Sequence, residues 1–115
     1  MKACPRNANV MADTLSRLES TIRDRRTADP ESSYVARLTA KGRGKIAQKV
    51  GEEATETIIA ALTEDAKALT GEAADLLFHL IVLLADSGVS LADVLAELDA
   101  REGVSGIAEK ASRKE

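Results

Sequence analysis

At 115 residues the chain is long enough for one small core, and its 44% apolar and 30% charged residues are ordinary for a folded soluble protein. A net charge of −3 gives no basic field for nucleic acid or an anionic membrane, and one tyrosine, one phenylalanine and no tryptophan leave no stacking platform for single strands. Cys4, the one cysteine, excludes an internal disulfide and a cysteine-based zinc site within one chain.

Residues 1–12 read as a loose extension without the apolar stretch of a signal peptide, and Met11 is an alternative start. Residues 13–115 read as one all-α domain. A first helix is expected from about Asp13 to Arg26, with Leu15, Leu18 and Ile22 at helical spacing. Asp29-Pro30 reads as a cap and first-turn proline opening a short helix with Tyr34, Val35 and Leu38. The two glycines of KGRGK, residues 41–45, break it. A third helix follows from about Lys45 to Leu62 and a fourth from about Ala66 to Asp86, with Gly88 as its stop. Ser90 and Asp93 form a capping box for a fifth helix through about Arg101, and the polar remainder reads as a mobile tail.

The fold class is therefore all-α, an antiparallel bundle of about five helices. The longest apolar run, Leu76 to Ala85, contains His79 and is too short to span a bilayer, so a soluble cytoplasmic protein is expected. Between Leu76 and Leu84 the fourth helix is apolar nearly all round. One small chain can hardly surround it, so a homodimer that completes the bundle is expected, against a well-covered monomer.

On a helical wheel Ile46, Val50, Ala54, Thr57 and Ala61 form the apolar stripe of the third helix, and Glu53 falls on that stripe. Glu56 and Lys49 flank it, and Glu52 points further toward solvent. In the fourth helix the stripe is Leu69, Ala73, Leu76, Leu80 and Leu83, bordered by Glu72, His79 and Asp75. Each helix thus offers two acids one turn apart on one face. Folded about Glu64, the hairpin brings Glu53 level with Asp75 and Glu56 level with Glu72. A single EExxE is most often a solvated face, but two level acidic pairs repel unless a cation neutralises them. Oxygen ligands without cysteine suit Mg²⁺ or Mn²⁺.

Lys41, Arg43, Lys45 and Lys49 directly precede the acids, as a solvated basic loop or as contacts for phosphate. His79 is expected to hydrogen-bond the Asp75 carboxylate, with general base or direct ligand as other roles. Composition and spacing end at a helical bundle with a Mg²⁺ site.

Glu52-Glu53-Ala54-Thr55-Glu56 with Glu72-Ala73-Ala74-Asp75 resembles the EExxE and ExxD hallmark of the all-α NTP pyrophosphohydrolase superfamily, MazG-like proteins included. SSYVARL (32–38), KGRGKIAQKVGEEATE (41–56), GEAADLLFHLIVLLADSGVSLADVLAEL (71–98) and SGIAEKASRK (105–114) resemble the phosphoribosyl-ATP pyrophosphohydrolase family more narrowly. Phe78 departs from it, standing where tyrosine is expected before the histidine.

The resemblance implies Mg²⁺-dependent hydrolysis of 1-(5-phosphoribosyl)-ATP to 1-(5-phosphoribosyl)-AMP and pyrophosphate, an early step of histidine biosynthesis. It implies Glu53, Glu56, Glu72 and Asp75 as metal ligands, and a water at the metal as nucleophile. Glu52 and Glu56 are the candidate bases; Lys41, Arg43, Lys45 and Lys49 are candidate phosphate contacts. It further implies a dimer working upstream of phosphoribosyl-AMP cyclohydrolase; the length and the lone Cys4 leave no room for that zinc enzyme fused to it, so a stand-alone enzyme is expected. Two other readings remain: a house-cleaning (d)NTP pyrophosphohydrolase, and a non-catalytic helical interaction module.

Overall fold

The computed structural model describes residues 3–103, with side chains from Thr14 onward. Among the described residues five helices form, α1 (Ala3–Arg25), α2 (Tyr34–Lys41), α3 (Arg43–Thr63), α4 (Ala66–Asp86) and α5 (Leu91–Arg101), and no strand. The polar tail and its SGIAEKASRK ending lie outside those residues.

Helix starts follow the capping chemistry of the chain. Ser33 Oγ accepts from Ala36 N at 3.1 Å, Asp65 Oδ1 from Ala68 N at 2.9 Å, and Ser90 Oγ from Asp93 N at 3.0 Å. α5 gains a further acceptor from α1, since Leu91 N donates to Glu19 Oε2 at 2.8 Å. α4 ends in a Schellman motif: Val89 N reaches Leu84 O at 2.9 Å, Gly88 N reaches Ala85 O at 3.3 Å, and Gly88 has φ +75°.

Three boundaries differ from the expected ones. α1 begins at Ala3 rather than near Asp13, so helical backbone runs through most of the segment read as an extension. Asp29-Pro30 opens a turn rather than a helix. Asp29 Oδ1 accepts from Glu31 N at 2.9 Å and its carbonyl from Ser32 N at 3.0 Å, which leaves Ser33 to start α2. In KGRGK only Gly42 breaks the chain: its φ of 99° and ψ of 164° belong to a region essentially reserved for glycine. Arg43 and Gly44 already lie inside α3.

α3 and α4 form an antiparallel hairpin about Glu64 and Asp65, with α1 packed on α4 and α2 on α3. The core joins Ile22 of α1, Val35 and Leu38 of α2, Ile46 of α3, and Ile81, Val82 and Ala85 of α4. Ile22, Ile46 and Val82 are fully buried, each stabilising by about 1.5–3 kcal/mol relative to exposure.

The α4 stripe is rotated from the expected one: His79, Ile81, Val82 and Ala85 are buried, whereas Leu80 is 36% exposed. A helix apolar on every side has no strongly preferred inner face, so neighbouring helices decide which side is covered. In α3 Ile46 and Glu53 are buried as expected, but Ala60 rather than Ala61 continues the line. Ile58, Ile59, Leu62, Leu77, Leu95 and Leu98 are also exposed. As a whole, 21-residue α4 is long and apolar enough to cross a membrane by composition, which the shorter run Leu76 to Ala85 did not suggest. It nonetheless carries Glu72 and Asp75 toward the acids of α3.

Candidate metal centre

The short turn at Glu64-Asp65 fixes the hairpin register. Glu56 and Glu72 stand equally far from it on the two arms of the hairpin, and their carboxylates approach each other. With Glu53 they form a cluster in which one oxygen from each residue lies within 4.8 Å of the others. Glu53 is 6% exposed, as its place on the Ile46 line requires; Glu72 is half-buried, and Glu56 faces water.

Two features fit this cluster to a cation. Glu53 Oε1 and Glu72 Oε1 are buried without a hydrogen-bond partner, an arrangement that costs free energy unless a ligand satisfies them. Burial, then the shared contact with Glu56, then the charges of Glu56, Asp75 and Glu53 raise the Glu72 pKa above the usual carboxylate value. Donors that are all carboxylate oxygens suit a hard divalent ion.

Asp75 is exposed and lies outside that three-residue group, although its charge still reaches Glu72. Glu52 is held on the solvent side, where Gln48 Nε2 donates to its Oε2 at 2.8 Å. That bond and Lys49 keep the Glu52 pKa low. Lys49 Nζ lies 3.3 Å from Glu52 Oε1 and 3.6 Å from Glu53 Oε2, so it is a cation resident in the acidic seam.

The other basic residues divide. Lys41 is exposed and Lys45 half-buried at the start of α3, where Lys45 adds to the field lowering Glu52. Arg43 is bound elsewhere: its Nε and NH2 donate to Asp86 Oδ2 and to the Asp86 carbonyl, each at 2.9 Å. Asp86 also accepts from Arg26 at 3.0 Å. KGRGK thus spans the end of α2 and the start of α3, with Arg43 joined to the end of α4.

His79 bonds the Asp75 carbonyl oxygen through Nδ1 at 2.8 Å, not the Asp75 carboxylate. A ring reaching back one turn along its own helix meets backbone, because the carboxylate at that spacing points outward. Its Nε2 lies 2.8 Å from the Tyr34 hydroxyl. Tyr34 and Asp86 are the residues that reading the sequence missed as organisers of this region. A lone tyrosine beside a capping serine, and an acid at the end of an apolar helix, were the only signals.

The family model of phosphoribosyl-ATP pyrophosphohydrolase matches residues 15–102. The chain is 69% identical over 103 residues to a phosphoribosyl-ATP pyrophosphatase of Rhizorhabdus wittichii, covering 90% of this chain and 97% of the relative. It is 68% identical to that of Erythrobacter litoralis over 88% of this chain and 97% of the relative. It is 61% identical to that of Zymomonas mobilis over 88% and 94%. The match takes in both acidic motifs and the helices that align them, and the chain belongs to the phosphoribosyl-ATP pyrophosphohydrolase family.

Proposed function

We propose that the protein hydrolyses 1-(5-phosphoribosyl)-ATP between the α and β phosphates, giving 1-(5-phosphoribosyl)-AMP and pyrophosphate with Mg²⁺ as cofactor and Mn²⁺ as a substitute. The observation that carries this reading is the convergence of Glu53, Glu56 and Glu72, with two buried carboxylate oxygens left unpaired, in a chain whose relatives bear that activity in their names. Held by Glu53, Glu56 and Glu72, Mg²⁺ would offset phosphate charge and make a water more acidic.

Glu53, Glu56 and Glu72 hold the ion, and Asp75, one turn beyond Glu72, completes the set. Glu56 and Glu52 are the candidate proton acceptors. Glu56 stands in the cluster on its wet side, and Glu52 is kept ionised by Gln48 and Lys49. Lys41, Lys45 and Lys49 offer positive charge along the approach to the acids. Arg43 lies on the same stretch, with its guanidinium on Asp86.

The exposed apolar side chains of Ile58, Leu62, Leu77 and Leu80 support a homodimer that covers α3 and α4, and a biosynthetic enzyme of this family is expected to be soluble and cytoplasmic. The product would pass to phosphoribosyl-AMP cyclohydrolase within histidine biosynthesis.

The test is product analysis with phosphoribosyl-ATP and Mg²⁺, assaying pyrophosphate and orthophosphate separately beside an EDTA control. Metal-dependent pyrophosphate release supports the reading. Orthophosphate would place the cut at the terminal phosphate, and activity only on a panel of dNTPs would make this a house-cleaning enzyme.

A further inference from the structure

His79 is the single histidine of the chain and is 6% exposed on α4. Both its ring nitrogens are engaged. Nδ1 lies 2.8 Å from the Asp75 carbonyl oxygen, which only accepts, so Nδ1 carries the proton. In a neutral ring Nε2 then has the lone pair, and the Tyr34 hydroxyl at 2.8 Å is its donor. Phe78 and Tyr34 close the ring in edge-on, with centroids 5.1 Å and 5.7 Å away.

The clasp links the first residue of α2 to the turn of α4 that begins at Asp75. Glu72 lies one turn before Asp75 on the same face. In this tautomer the imidazole has no free lone pair for a cation. Its two bonds instead fix its tautomer, its rotamer and the distance between α2 and the acidic stretch of α4.

The geometry points to Tyr34 and His79 as a pair of positioning residues for the metal-binding acids of α4: the tyrosine hydroxyl sets the histidine tautomer, and the histidine ties down the turn carrying Asp75. This rests on the metal-binding reading given above. It assigns His79 neither as ligand nor as base, and it gives Tyr34 a role that depends on its hydroxyl rather than its ring. Partners of this kind, one step removed from the ligands, change metal affinity or turnover by about 10–100-fold when lost.

The experiment compares the wild type with Tyr34→Phe, which keeps the ring and removes the donor. With one histidine in the chain, nitrogen-15 NMR of the imidazole reads the tautomer without ambiguity. The wild type is expected to show Nδ1 protonated and Nε2 bare. In Tyr34→Phe the Nε2–H form should appear, Mn²⁺ affinity should fall about 10-fold, and kcat should fall with KM held. An Nε2–H tautomer in the wild type overturns the proposal, and that measurement needs no variant to fold. Unchanged Mn²⁺ affinity in a folded Tyr34→Phe overturns it too, whatever its tautomer. A wild type that binds Mn²⁺ yet releases no pyrophosphate defeats the proposed reaction while leaving the clasp to be judged by tautomer and affinity. A wild type that binds no Mn²⁺ overturns both.

Discussion

Lys49 Nζ stands 3.6 Å from Glu53 Oε2, the nearest positive charge to a carboxylate that is almost wholly buried on the core line of α3. In the absence of a divalent ion the lysine is what offsets Glu53, and the contact with Glu52, followed by the charges around it, raises the Lys49 pKa against the lowering effect of burial. A divalent ion bound at Glu53 would therefore compete with the lysine for the same oxygen-rich seam. Lys49→Met should lower the stability of the metal-free protein by about 1–2 kcal/mol, the cost of leaving a buried carboxylate with one partner fewer. Thermal melts with and without Mg²⁺ should show a larger metal-induced stabilisation in the variant than in the wild type.

Glu53→Gln removes the charge while keeping the shape. Because the carboxylate leaves one oxygen unpaired and faces Glu72, the metal-free variant should melt at or above the wild-type temperature. Pyrophosphate release should nevertheless be abolished, and Mg²⁺ should no longer raise the melting temperature. Asp75→Asn should also abolish turnover with the fold intact. Folded variants turning over at the wild-type rate would remove these residues from the proposed site.

Arg43 and Arg26 both close on Asp86, so one side chain secures the start of α3 and the end of α1 to the end of α4. The Arg43 contact, with Arg26 behind it, holds the Asp86 pKa below its ordinary value of 3.8 although burial works the other way. A depressed folded-state pKa means that the stabilisation is present above the ordinary value and is lost as the pH falls through the folded one. Asp86→Asn should therefore destabilise by about 2 kcal/mol near neutral pH. In denaturant titrations the gap from wild type should shrink as the pH falls below the ordinary aspartate value.

Gly42 is the hinge between α2 and α3, at a φ and ψ that a side chain strongly disfavours. A Cβ there would meet no neighbour, so any penalty is in the backbone alone. Gly42→Ala should cost about 1–3 kcal/mol. Gly44→Ala, inside α3 and equally unobstructed, should be neutral or stabilising by up to about 1 kcal/mol. Melting temperatures of the pair give the comparison.

The acidic cluster was legible because its determinants are local: one-turn spacing within each helix, and a two-residue turn that leaves the hairpin a single register. Glu53 on the Ile46 line and Glu56 opposite Glu72 follow from those two facts. The Tyr34–His79 and Arg43–Asp86 contacts were not legible, since both depend on how the short α2 and the start of α3 lie across α4. The wheel also misplaced Leu80 for a physical reason. It finds the inner face from the contrast between apolar and polar sides, and the run from Leu76 to Ala85 offers almost no such contrast. Likewise, Asp29-Pro30 looked like a helix cap because an Asx turn and an N-cap use the same side-chain acceptor.

The scarcity of aromatic residues gives the protein an optical property. Tyr34 and Phe78 are the only tyrosine and phenylalanine, there is no tryptophan, and the two rings stack with centroids 6.2 Å apart beside His79. All near-ultraviolet aromatic absorption and intrinsic fluorescence therefore originates in one patch, where the start of α2 meets the α4 turn next to Asp75. A change in Tyr34 emission on adding an ion or nucleotide would report events at that patch alone, with no dye and no background from elsewhere in the chain.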